Sequence, residues 1–250
     1  MALIVMVAPQ SVIGSPYSVL LSVLIYGHRG ASWNYPELTE SAYLAAVAEG
    51  ADGFECDLRL SRDEVPVLWH NPSMQEIARH SGLIAEMSYR EISAIYPDVL
   101  TLDEFLDIAL THKKNVLLET KHPVISGNLI EEVIAKTLRD RKVRKNIDVS
   151  ILSFSWSAIE KLGRIDPDIS RTYLLSAHSL WMQARYSSAD FLGPGIDRIR
   201  RDPAIVKKIH NYGKKVAVWT VDDGTDVEMC RDLGVDILIT NKPAHARTFL

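Results

Sequence analysis

From residue 22 onward, short runs rich in Val, Ile and Leu alternate with longer stretches whose apolar residues recur at helical spacing. The runs are SVLIYGH (22–28), GFECDLRL (53–60), NVLLETK (115–121), VSILSF (149–154), SRTYLL (170–175), ADFLGPGI (189–196), KVAVWTV (215–221) and DILIT (236–240). Each has the length and composition of a strand, and strands separated by helices predict βαβ units in a parallel sheet. The helical stretches span 39–49, 102–110, 129–141, 157–165, about 178–186, 202–212 and 225–233. Thr39 is a suitable N-cap with Glu40 beside the positive helix end, and Gly50, Gly213 and Gly234 stand where helices should stop. The alternation breaks after residue 65, where VPVLWH reads as a further short strand leading into a loop with Pro72, Gly82 and Pro97. Eight strands with seven or eight helices predict an α/β fold, a (β/α)8 TIM barrel in one domain spanning 22–250. In such a barrel, functional groups collect at the C-terminal strand ends.

The first residues need separate treatment. No Lys or Arg precedes Arg29, and Pro9, Gln10, Gly14, Ser15 and Pro16 interrupt the apolar run. Neither a regular signal peptide nor a membrane helix of about 20 residues is therefore predicted. Residues 1–21 read as an N-terminal extension covering the domain, with an atypical export signal or membrane contact as the alternative.

Composition narrows the function classes. The chain has 250 residues, 47% hydrophobic and 24% charged, which excludes disorder, collagen-like repeats and a disulfide scaffold. With 28 basic against 32 acidic residues the net charge is −4, so nucleic acid is not an expected partner. The basic stretch RDRKVRK (139–145) reads as a solvated helix end and its loop. Cys56 and Cys230 have no partners at metal-ligand spacing and read as buried thiols, which fits a reducing, cytoplasmic compartment. A small-molecule substrate is expected, without stable membrane insertion.

The candidate chemistry lies on the second and third runs. Side chains alternate along a strand, so Glu55 and Asp57 share one face while Phe54, Cys56 and Leu58 take the other. Leu117, Glu119 and Lys121 likewise share a face, with the charged pair at the C-terminal end. Three carboxylates at one barrel mouth must be paired or bind a cation, because isolated buried charge is very costly. An all-oxygen donor set favours one hard divalent ion, Mg2+ or Ca2+, and salt bridges to Lys121 or Arg59 are the alternative. His28 and His70 each follow an apolar run that ends at the same mouth, and two histidines flanking a substrate suit general base and general acid roles. Arg29 adds a planar, permanent charge suited to phosphate.

The stretches HRGASWNYPE, FECDLRLSRDEVPVLWH, LLETK and VAVWTVDD…LGVDILITNKP resemble, in order and spacing, the glycerophosphodiester phosphodiesterase family. The resemblance runs from 25 to 243. It implies a TIM barrel, a divalent metal and hydrolysis of glycerophosphodiesters to an alcohol and glycerol 3-phosphate. It also implies His28 and His70 as catalytic residues, Glu55, Asp57 and Glu119 as metal ligands, and Arg29 and Lys121 at the phosphate. Trp219 would lie near the glycerol, with barrel packing as its alternative role. Glu37 would lie close to the metal, and Ser153 and Phe154 match a common Ser-Phe pair. Two positions depart from the pattern. Leu38 stands where the family usually has Asn, and Asn71 replaces the Asp that usually follows the second histidine. The resemblance leaves open a lipid phosphodiesterase of the same superfamily, or a non-catalytic barrel that binds phosphodiesters.

Overall fold

The computed structural model describes residues 23–124, 126–176 and 179–250. The extension at 1–21 and His178 lie outside them. Nine strands form one sheet: β1 (Leu24–His28), β2 (Gly53–Leu60), β3 (Pro66–Leu68), β4 (Asn115–Thr120), β5 (Val149–Ser153), β6 (Ser170–Leu175), β7 (Phe191–Pro194), β8 (Lys215–Val218) and β9 (Ile237–Thr240). Eight of them pair in parallel, and β1 closes the ring by pairing with both β2 and β9. Helices between the strands complete the (β/α)8 barrel, and among the described residues none is long and apolar enough to cross a membrane.

The ninth strand explains how the mouth is built. Pairing of β1 with β2 stops at Glu55, so the last residues of β2 outrun the barrel and β3 folds back on them antiparallel, Leu58 opposite Leu68. Trp69 N–H then donates to the Asp57 carbonyl at 3.0 Å, which returns the chain to the rim with His70 next in line. Beyond it, residues 71–101 are not a plain loop. They carry short helices at Gln75–Ala78 and Tyr89–Ile95 and a small core of their own around Trp69, Met74, Ile84 and Ile92.

Two larger apolar clusters sit between barrel and helices, and one of them takes Phe54, Cys56 and Leu58 from the outer face of β2. A further cluster plugs the barrel interior with Tyr26, Leu117, Leu152, Leu174, Ala217, Ile237 and Ile239. Both cysteines are free and buried, and burial pushes the Cys230 thiol up to about 12. The basic stretch at 139–145 is occupied by ion pairs within the chain, Arg141 with Asp103 and Asp107 and Arg144 with Asp166.

Two expectations are corrected in the seventh unit. The run 189–196 yields strand only at Phe191–Pro194, which ends β7 two residues early. Gly193 is there because a Cβ would lie 2.6 Å from Leu174 Cδ2. The helix expected over 202–212 forms at Ala204–His210, after Pro203, and a further short helix that the sequence did not suggest, Ile196–Arg201, directly follows β7.

Candidate active site

The first strand delivers two site residues through a tight left-handed turn. Arg29 has φ 57° and Gly30 φ 88°, and a Cβ at Gly30 would lie 2.6 Å from the backbone of Ala42. Only glycine fits there. The turn aims the Arg29 N–H at Glu55, 3.1 Å from both the carbonyl and Oε2. Arg29 Nε lies 2.8 Å from Asp57 Oδ2, and Nη1 donates to Glu37 Oε2 at 2.9 Å. Glu37 thus stands one step back from the acids, holding the arginine. Leu38 also has a left-handed backbone (φ 61°), which is unfavourable for a side chain lacking local hydrogen bonds. Its burial and its N–H donated to Arg29 O at 3.1 Å secure the first loop where an Asn side chain is missing.

Glu55, Asp57 and Glu119 come together as the alternation predicts: a carboxylate oxygen of each lies within 4.8 Å of the others, all buried. Register explains it, since Asp57 pairs with Glu119 across β2 and β4. Lys121 Nζ lies 2.6 Å from both Asp57 Oδ1 and Glu119 Oε1. The salt-bridge reading is therefore realised through Lys121 and Arg29. Arg59 instead donates Nε and Nη2 to the His70 carbonyl at 2.9 and 2.7 Å, fixing the rim, because it stands two residues above Asp57 on the overhanging hairpin.

Even so, the charges do not balance. Three acids face two cations, and burial and neighbouring charge decide where the surplus falls. Burial alone would raise Asp57, yet Lys121 and Arg29 together outweigh it and hold its carboxyl below the usual range. Burial and the neighbouring carboxylates push Glu55 well up, and burial with Asp57 lifts Glu119 to about 7. Both Asp57 oxygens have ion-pair contacts but no aligned hydrogen bond. A surplus of buried, hard oxygen donors with unaligned lone pairs fits a divalent cation.

The two histidines are oriented by similar devices. His28 Nδ1 lies 2.7 Å from Asn241 Oδ1, and Asn241 Nδ2 donates to Asp222 Oδ2 at 2.6 Å. A carboxylate accepts and cannot donate, so it fixes the amide with its oxygen toward the ring, and His28 must donate from Nδ1. That leaves Nε2 facing the site, 4.0 Å from Glu55 Oε2. His70 Nδ1 lies 2.9 Å from Asn71 Oδ1, and Asn71 Nδ2 meets the Glu76 carboxylate. Burial, reinforced by Arg29, lowers the pKa of His28. Burial with Lys121 and Arg29 lowers that of His70.

These groups line one cavity of about 170 Å³. His28, Arg29, Glu55, His70, Glu119 and Lys121 make its charged half, and Leu152, Phe154, Leu174, Trp219 and Ile239 its apolar half. Trp219 Nε1 donates to Gly193 O at 2.8 Å, and Phe154 meets its ring edge-on at 5.3 Å between centroids. Ser153 lies behind Phe154, buried, its hydroxyl donating to Thr120 O at 3.1 Å. Elsewhere His122 is spent on a 2.7 Å contact with the buried Glu131. Sequence reasoning missed Asn241, Asp222 and Glu76. The VDD and TNKP stretches held the first pair, but nothing local ties Asn241 to a histidine 213 positions away.

The model of the glycerophosphoryl diester phosphodiesterase family matches residues 28–245. A Mycobacterium tuberculosis protein named "Probable glycerophosphodiester phosphodiesterase 1" is 29% identical over 90% of this chain and 92% of its own. A Caldanaerobacter subterraneus glycerophosphodiester phosphodiesterase is 26% identical over 89% and 96%. In fold, the chain is similar to the glycerophosphodiester phosphodiesterase of Thermotoga maritima (TM-score 0.80, 20% identity, 92% and 99% covered). It is also similar to an Oleispira antarctica phosphodiesterase solved with the product sn-glycerol-3-phosphate (TM-score 0.77, 23% identity, 90% and 96% covered). With the family model matched across residues 28–245, this chain belongs to the glycerophosphoryl diester phosphodiesterase family.

Proposed function

We propose that the chain hydrolyses glycerophosphodiesters to an alcohol and sn-glycerol 3-phosphate, using His28 and His70 together with a divalent cation that Glu55, Asp57 and Glu119 would hold. The observation that carries this reading is the meeting in one cavity of His28 and His70 with Glu55 and Glu119, which the buried Asp57 joins in a three-carboxylate cluster. When bound, Mg2+ or Ca2+ supplies neutralisation of the phosphoryl charge.

The protein's own groups divide the remaining work. Arg29 and Lys121 face the phosphate, Glu37 steadies Arg29, and Trp219 offers an apolar wall to the glycerol. One histidine accepts a proton at Nε2 from the nucleophile, either water or the neighbouring hydroxyl of the substrate. The new oxygen–phosphorus bond forms as the bond to the alcohol breaks, and the other histidine gives that oxygen its proton. Where the substrate's hydroxyl attacks, the cyclic phosphate so formed is then opened by water, which that second histidine deprotonates, to give sn-glycerol 3-phosphate. Burial lowers the pKa of both rings, which favours the neutral form a base requires. The incoming phosphate adds the negative charge that favours protonation of the one that acts as acid.

The test is release of sn-glycerol 3-phosphate from glycerophosphocholine, glycerophosphoethanolamine and glycerophosphoglycerol by chelator-stripped protein, before and after adding Mg2+ or Ca2+. Release restored by either ion is expected. Full release from stripped protein would remove the cation from the mechanism, and no release under any condition would refute the substrate class.

A further inference from the structure

We propose that Asn71 and Glu76 are positioning residues for His70, a carboxylate–amide relay that holds the imidazole with its proton on Nδ1 and its Nε2 toward the cavity. This rests on the proposed role of His70 and assigns a purpose to two residues outside the charged site.

Hydrogen-bond polarity sets the tautomer of His70. Asn71 lies between His70 Nδ1 and the Glu76 carboxylate. Because the carboxylate only accepts, the amide NH2 turns to Glu76 and the amide oxygen to the ring, so Nδ1 must carry the hydrogen. Neutral imidazole in water favours the other tautomer, with the hydrogen on Nε2, so the relay selects the form the free side chain disfavours. The same polarity governs His28 through Asn241 and Asp222. Two relays of one design, built from unrelated elements, present matching Nε2 atoms to one cavity.

The two differ in setting. Asp222 is clasped by Thr240 Oγ1 (3.0 Å) and the Asn241 N–H (2.8 Å) as well as by the amide, whereas Glu76 sits exposed on the four-residue helix Gln75–Ala78. The relay on His70 is thus exposed, and its outer member can be replaced without disturbing the core. Asn71 is the position where the resemblance leads one to expect Asp. An Asp there would accept from His70 directly, but beside Glu76 it would face a second carboxylate. Asn71 with Glu76 keeps one carboxylate in the chain and moves it one residue outward.

The experiment labels the protein with ring-15N histidine and reads the nitrogen shifts of His70, identified by its loss in His70→Gln, at a pH where the ring is neutral. The native protein should show Nδ1 protonated. Glu76→Ala should shift His70 toward the Nε2-protonated form and lower kcat about tenfold with KM little changed, an effect of the size seen when partners behind a working group are removed. Asn71→Asp should lose activity through repulsion with Glu76. Asn71→Asp combined with Glu76→Gln should regain most of it, because the Gln amide can donate to the new carboxylate. Nε2-protonated His70 in the native protein would overturn the proposal. So would an unchanged tautomer in Glu76→Ala, or a double variant no better than Asn71→Asp alone. The ring signal decides without turnover, so a failure of the substrate assignment would appear separately, as inactivity of the native protein.

Discussion

Inside the barrel, two levels one strand repeat apart are filled in opposite ways. Tyr26 lies below His28 on β1 and Leu117 below Glu119 on β4, while Ala217 of β8 and Ile239 of β9 lie below Trp219 and Asn241, each just past its strand's end. The lower members belong to the interior apolar plug and the upper ones stand at the mouth. About 6.6 Å of strand rise separates the levels. Below, the shared face contributes stability by excluding water. Above, the mouth gathers three buried acids and two cations, a cluster that fits a divalent cation. Barrel geometry allows this division because the same inward face continues from plug to mouth.

The sharpest break of the comparison is at the upper level. Glu119→Gln or Asp57→Asn should lower turnover about a thousandfold, the equivalent of roughly 4 kcal/mol of lost charge stabilisation. Steady-state kinetics on glycerophosphodiesters checks it, with circular dichroism confirming the fold. His28→Ala and His70→Ala should each cost about a hundredfold in kcat with a much smaller change in KM. At the lower level, Leu117→Ala should cost about 2–5 kcal/mol in urea unfolding while turnover per folded molecule stays within a few-fold. A loss of stability from Leu117→Ala as small as that of a surface change would break the division.

The pH profile sharpens the same contrast. Both histidines have pKa values lowered from 6.5, chiefly by burial. A base works in its neutral form, and lowering its pKa extends that form toward acid. The acidic limb of kcat/KM should therefore have its midpoint below 6.5, and a midpoint above 7 would contradict the burial of these rings. The smallest expected effect is at the cysteines: both thiols are buried with raised pKa values, so native protein should react with iodoacetamide only on unfolding.

What the sequence disclosed follows from what is local in physics. The period-2 alternation in GFECDLRL fixed the face of Glu55 and Asp57, and LLET placed Glu119 beside them through parallel register. The barrel followed from strand count. Hidden features depended on distance or on crowding. The helix Ile196–Arg201 opens on the last residue of the run 189–196, whose apolar pattern reads as strand, so the change of element there was hidden. Arg59 shares a face with Asp57, and only the overhang of the hairpin reveals that it grips the His70 carbonyl. Asn71 reads as a loss until Glu76, five residues on, is seen to restore the carboxylate.

The central claim is that the charge surplus of Glu55, Asp57 and Glu119 exists to hold a divalent cation. The most direct measurement is calorimetric titration of Mg2+ and of Ca2+ into chelator-stripped protein, native and Asp57→Asn, with turnover followed in the same samples. The account predicts one cation bound per native chain, activity rising with occupancy, and both lost together in Asp57→Asn. Full activity with no cation bound, or binding unaffected by Asp57→Asn, would contradict it.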